Sequence, residues 1–98
     1  MKVAAVQLTS TGNVTENQEL ALAKIREAAG NGARLIVLPE ATAQNFRSGR
    51  LDEQAQTLEG PFATAIQTLA EELEVTVVAG MFCPADTVER EGKTINRV

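Results

Sequence analysis

An α/β fold built on parallel strands is the class this sequence predicts, and three observations predict it. Short, almost wholly apolar runs recur at Val3–Leu8, Arg34–Leu38 and Val75–Phe82. Two stretches with helical periodicity, 21–29 and 62–73, lie between them. Each helical stretch has start and stop residues at its ends. Strands alternating with helices imply parallel pairing through crossover connections.

The first run, Val3-Ala4-Ala5-Val6-Gln7-Leu8, fits a strand buried on both faces. Thr9-Ser10-Thr11-Gly12 is a loop by composition. Asn13 with Glu16 three residues on resembles a capping box, and Thr15 is a competing N-cap. Ala21, Leu22, Ile25, Ala28 and Ala29 then make one apolar stripe, whose alanines suit close packing of helix on sheet. Gly30-Asn31-Gly32 supplies a left-handed residue to end that helix. Arg34 to Leu38 is the second buried strand, and Pro39, with no N–H for a ladder, ends regular pairing. Glu40 therefore falls just past the strand's carboxyl end. Residues 41–58 lack a strong period and read as a loop with some irregular helix.

Gly60-Pro61 opens the second helix, with proline in the first turn, where its missing N–H does no harm. Phe62, Ala65, Ile66, Leu69 and Leu73 give the clearest amphipathic pattern in the chain, and Glu71, Glu72 and Glu74 form its solvated end. Val75 to Phe82 is the third strand. Pro84 and Asp86 begin a polar turn that runs to Gly92, and Lys93 to Val98 opens a fourth strand. The predicted order is β-α-β-α-β-β.

At 98 residues the chain is one domain rather than two, and 44% hydrophobic residues argue against disorder. No apolar run approaches the ~20 residues that span a bilayer, and the apolar run at the start is too short for a signal peptide. A cytoplasmic protein with no membrane partner is expected. Histidine is absent, which removes Ser-His-Asp and Cys-His catalysis and histidine metal sites within this chain. One cysteine, Cys83, excludes an intrachain disulfide and any CxxC motif. A net charge of −4 speaks against nucleic-acid binding, which needs a basic face.

In parallel sheets ligands gather at the carboxyl ends of strands. Thr9, Ser10, Glu40 and Cys83 belong to that edge. Partial burial of Glu40 there would raise its pKa and suit it to general-base work. The plainer alternative is a strand exit in which Glu40 caps a turn. Cys83 could be a nucleophile, but a lone cysteine between Phe82 and Pro84 is more often a small buried apolar residue. The Thr9–Gly12 loop precedes a helix, where anions can bind, yet it carries neither phosphate-binding glycine pattern. Phe46, Arg47 and Arg50 could line a substrate pocket; equally, Phe46 could be a packing anchor and the arginines merely solvated.

The residues Val3-Ala4-Ala5-Val6-Gln7-Leu8, Ala28-Ala29-Gly30-Asn31-Gly32-Ala33-Arg34-Leu35-Ile36-Val37-Leu38-Pro39-Glu40, Glu59-Gly60-Pro61 and Val77-Val78-Ala79-Gly80-Met81 together resemble the nitrilase superfamily of carbon–nitrogen hydrolases. The resemblance covers nearly the whole chain in one register, and the block ending in Pro39-Glu40 is its most specific part. It implies the N-terminal portion, residues 1–98, of a nitrilase-type α-β-β-α sandwich. It implies hydrolysis of a small-molecule amide or nitrile by a glutamate, a lysine and a cysteine, with Glu40 matching the glutamate general base. Phe46 matches a region that lines the substrate pocket. No cofactor or metal is implied, and the full-length protein is expected to form a homo-oligomer.

The family's lysine and cysteine come later than this chain reaches. Lys2, Lys24 and Lys93 do not match that lysine, and Cys83 does not match the nucleophile. The 98-residue chain alone is therefore expected to be inactive. Two rivals stand beside this reading. One is a non-catalytic binding or assembly module, against which an unpaired fourth strand would argue because exposed edges invite aggregation. The other is a flavodoxin-like domain holding an anion at Thr9–Asn13.

Overall fold

The computed structural model describes residues 1–98. The elements are β1 (Val3–Ala5), α1 (Val14–Gly30), β2 (Leu35–Val37), α2 (Leu51–Gln54), α3 (Pro61–Leu73), β3 (Thr76–Val78), β4 (Thr87–Arg90) and β5 (Lys93–Asn96). β1, β2 and β3 form a parallel sheet in that order, with Ala4, Ile36 and Val77 abreast. Because the strands advance in one direction, crossovers of one hand put α1 and α3 on the same face. Ala21, Ile25, Ile36, Leu38 and Leu69 form the core there, with Ala4 and Val77 packed against it. No helix is long and apolar enough to cross a membrane.

The helix boundaries follow local chemistry. Asn13, not Thr15, is the N-cap of α1: its side chain accepts the Glu16 N–H at 2.9 Å. The capping box is only half made, because the Glu16 carboxylate accepts from the Thr11 hydroxyl and the Asn13 N–H turns to that same hydroxyl. At the other end Gly32 is left-handed (φ 95°). Its N–H reaches the Ala29 carbonyl and the Ala33 N–H reaches the Ala28 carbonyl, which together make a Schellman ending. Pro61 stands in the first turn of α3, and Phe62 and Leu69 are buried as the apolar stripe requires.

Three expectations need correction. The strands are not buried on both faces. Side chains alternate across a strand, so the Ala4–Ile36–Val77 row meets the helices while Val3 (56% exposed), Val37 and Val78 (51%) face outward with no layer over them. The segment from Pro84 to Gly92 is not wholly a turn. Thr87–Arg90 is a strand, and it pairs with Lys93–Asn96 across Glu91-Gly92. Both of those turn residues have positive φ, as a two-residue hairpin loop demands. Consequently the last strand, which Lys93 opens, is paired, so the argument from an unpaired fourth strand falls. The short helix α2 lies inside the segment read as irregular, which makes the order β-α-β-α-α-β-β-β.

Candidate active site

Three loops leave the carboxyl ends of the parallel strands, and main-chain hydrogen bonds stitch them together. The Val6 N–H donates to the Val37 carbonyl and the Leu38 N–H to the Val78 carbonyl, each at 2.8 Å, carrying the pairing beyond the strands proper. Pro39 contributes no donor, yet its carbonyl still accepts the Gly80 N–H at 3.3 Å. The Ala43 N–H returns to the Gly80 carbonyl at 3.2 Å, and the Gln56 N–H reaches the Phe82 carbonyl at 3.1 Å.

Side-chain amides brace these loops. Asn17 is fully buried on α1; its side chain donates to the Thr11 and Ala43 carbonyls and accepts the Thr11 N–H. Gln44, also buried, donates to the Ser48 and Arg50 carbonyls. Gln54 donates to the Gly12 carbonyl and accepts the Val14 N–H. No buried side-chain nitrogen or oxygen lacks a partner, as close packing of polar groups requires. These amides escaped sequence reasoning because a glutamine or asparagine in a polar stretch carries no period; a buried-face position such as Asn17, four residues before Ala21, was the one available signal.

Glu40 stands at the start of the turn after β2, on this edge. It is exposed rather than partly buried, and its carboxylate belongs to none of the chain's ion pairs. The expected partial burial is absent because nothing in these 98 residues packs over that edge. Phe46, on the same loop, is 56% exposed and stacks edge-on against Phe82, with ring centroids 5.2 Å apart. Arg50 is held by Asp52 at 2.6 Å, while Arg47 is exposed. Cys83 is a free thiol, half-buried in the connection between β3 and β4.

At the loop where the flavodoxin-like rival would hold an anion, the donors are partly used. Two of the first N–H groups of α1 are satisfied from within the chain, that of Val14 by Gln54 and that of Glu16 by Asn13. The lysines are dispersed. Lys2 donates to the Asn31 carbonyl at the far end of the sheet, and Lys24 faces Glu27 on α1. The two largest depressions, about 330 and 250 Å³, lie along the outer edges of the sheet, and neither includes Glu40. Glu40 thus presents an unpaired carboxylate at the strand edge, carried on a main chain that the neighbouring strand end holds.

The family model for carbon–nitrogen hydrolases matches residues 2–97. The chain belongs to this family, within the nitrilase superfamily. It is 39% identical over 85 residues to a protein of Mycobacterium tuberculosis named as a hydrolase, covering 86% of the chain and 30% of that protein. It is 37% identical over 93 residues to a deaminated glutathione amidase of Synechocystis, covering 95% of the chain and 34% of that enzyme. An omega-amidase of Danio rerio is 29% identical over 79 residues, 81% of the chain and 28% of the relative. The chain therefore spans about a third of the length of the curated relatives it matches.

Proposed function

We propose that residues 1–98 are the N-terminal portion of a hydrolase that cleaves a non-peptide carbon–nitrogen bond in a small amide or nitrile, with Glu40 as general base. The observation that carries this reading is the position of Glu40. It follows Pro39 at the carboxyl end of β2, in a chain that matches the family over residues 2–97. Two of the relatives are named as amidases, which favours an amide.

For an amide the chemistry runs in two halves. The Glu40 carboxylate takes the proton of a cysteine thiol, and the sulfur bonds to the carbonyl carbon. A lysine ammonium stabilises the resulting oxyanion. The carbon–nitrogen bond breaks as Glu40 returns the proton to the leaving ammonia or amine. Glu40 then accepts a proton from water, whose oxygen attacks the thioester and releases the thiol and the carboxylic acid. The lysine and cysteine belong to sequence beyond residues 1–98, since Lys2, Lys24, Lys93 and Cys83 lie apart from the Glu40 turn or fail to match. Phe46, packed on Phe82, supplies an apolar wall for the substrate.

The bare face of the sheet supports the sandwich form of this reading. Parallel sheets are covered on both sides, and Val3, Val37 and Val78 offer an apolar surface to a second sheet. A cytoplasmic homo-oligomer completes the proposal.

The test measures ammonia release from small ω-amides and nitriles by the protein expressed from its complete reading frame. Hydrolysis that Glu40→Gln lowers by about 10³-fold is expected. The isolated 98-residue chain should release none. Robust hydrolysis by that isolated chain would overturn the need for a lysine and a cysteine outside it.

A further inference from the structure

We propose that Thr42 and Gly80 are positioning residues for Glu40, gripping from two sides the peptide that carries its carboxylate. The proposal rests on the reading of Glu40 as general base. Since the Glu40 side chain has no ion pair within the chain, its placement is set by its main chain.

That main chain is held in an unusual way. Pro39 fixes its own φ just before Glu40. Thr42 is fully buried, and its hydroxyl donates to the Pro39 carbonyl at 2.5 Å. The same carbonyl accepts the Gly80 N–H, and Gly80 in turn accepts the Ala43 N–H. The turn from Pro39 to Ala43 is therefore closed on itself by Thr42 and clamped to the end of β3 by Gly80.

Gly80 acts through space rather than dihedral freedom, for it is not among the glycines with positive φ. A Cβ built on it would lie 1.5 Å from the Glu40 carbonyl oxygen, 2.3 Å from its carbon and 2.9 Å from its Cα. All three are backbone atoms and cannot swing aside as a side-chain tip does. An alanine at position 80 must push the Glu40 peptide away from β3. A displacement of about 1 Å in a catalytic group can cost about 10²-fold in rate.

The test uses the protein expressed from its complete reading frame, with Gly80→Ala, Thr42→Val, Thr42→Ser and a remote destabilising control, Leu73→Ala. In the kinetic arm, Thr42→Val and Gly80→Ala should lower kcat about 10²-fold. KM should change by less than about twofold, since the loss is in placing the reacting group. Thr42→Ser, which keeps the hydroxyl, should restore kcat, whereas Leu73→Ala should leave it in place. In the second arm, the peptide joining Pro39 to Glu40 is followed by NMR with carbon-13 proline and nitrogen-15 glutamate, its signal assigned by its loss in Glu40→Gln. That signal should move in Thr42→Val and return in Thr42→Ser. This arm needs no turnover, so a protein without hydrolase activity overturns the functional reading and leaves the positioning proposal to the NMR result. If Gly80→Ala fails to fold, the Thr42 pair decides. A wild-type Pro39–Glu40 peptide signal and a wild-type kcat in Thr42→Val would overturn the proposal.

Discussion

The side-chain amide of Asn17, on α1, donates to the main-chain carbonyl of Ala43, on the loop after β2, at 2.9 Å. The same side chain also takes both the N–H and the carbonyl of Thr11. One buried residue thus ties the loop after β1 to the loop that carries Glu40. Asn17→Ala removes the partner of the Ala43 carbonyl and of the Thr11 N–H, while the Thr11 carbonyl keeps the Asn45 N–H, and each unsatisfied group costs about 1–3 kcal/mol. A loss of at least about 2 kcal/mol in urea unfolding is expected, against almost none for the exposed Thr15→Ala. Equal effects at the two positions would show that Asn17 does not brace the loops.

Leu69 joins α3 to the core under Ile36. Leu69→Ala should lower stability by about 2–5 kcal/mol through lost burial and the cavity left behind. Leu58→Ala, at a 68% exposed position, should change it by less than about 0.5 kcal/mol. Thermal unfolding of both variants checks the contrast.

Two neighbouring glycines should respond with opposite sign. Gly32 is left-handed, so Gly32→Ala should destabilise by about 1 kcal/mol. Gly30 is the last residue of α1, has ordinary negative φ, and a Cβ there would meet open space. Gly30→Ala should stabilise by about 0.4–1 kcal/mol, because alanine has less freedom to lose from the unfolded chain. Denaturant midpoints for the pair measure this directly.

The hairpin should loosen in acid. Hydrogen bonds from Arg97 hold the Asp86 carboxyl below the usual carboxylate range, and Arg50 does the same for Asp52. A carboxyl whose folded pKa is depressed stabilises the fold above its unfolded pKa, about 3.9, and loses that contribution as pH falls through the lower folded value. Amide shifts of Ala85 and Arg97, whose main chains pair at 2.8 Å, should therefore move below about pH 4. In Asp86→Asn that acid transition should disappear, and salt should weaken it in the wild type.

The bare sheet face gives a test of the sandwich. Val78→Lys places a charge at a half-exposed position of the 98-residue chain and should be tolerated there. In the protein from the complete reading frame, a second sheet over that face would bury the charge and lower stability by at least about 2 kcal/mol. Equal tolerance in both proteins would leave the face uncovered and the sandwich reading without support.

Periodicity alone revealed the α1 and α3 stripes, because burying one face of a helix forces a repeat in the sequence. Apolar runs located β1, β2 and β3, though each proved shorter than its run. The hairpin of β4 and β5 was harder to see. Thr87–Arg90 is mostly exposed and polar, so no hydrophobic alternation marked it, and its signature is the turn geometry at Glu91 and Gly92.

What the sequence by itself determined, then, was the α/β class, the faces of the two long helices and the place of Glu40 behind Pro39 at a strand end. These depend on residues close together in the chain. Tertiary structure alone decided that Gly80 lies against the Glu40 peptide, that Asn17 reaches Ala43, and that one sheet face is bare. Gly80 and Glu40 are distant in sequence, and the requirement that binds them is the volume of a single methyl group. No local propensity records such a requirement; it exists only once β2 and β3 lie side by side.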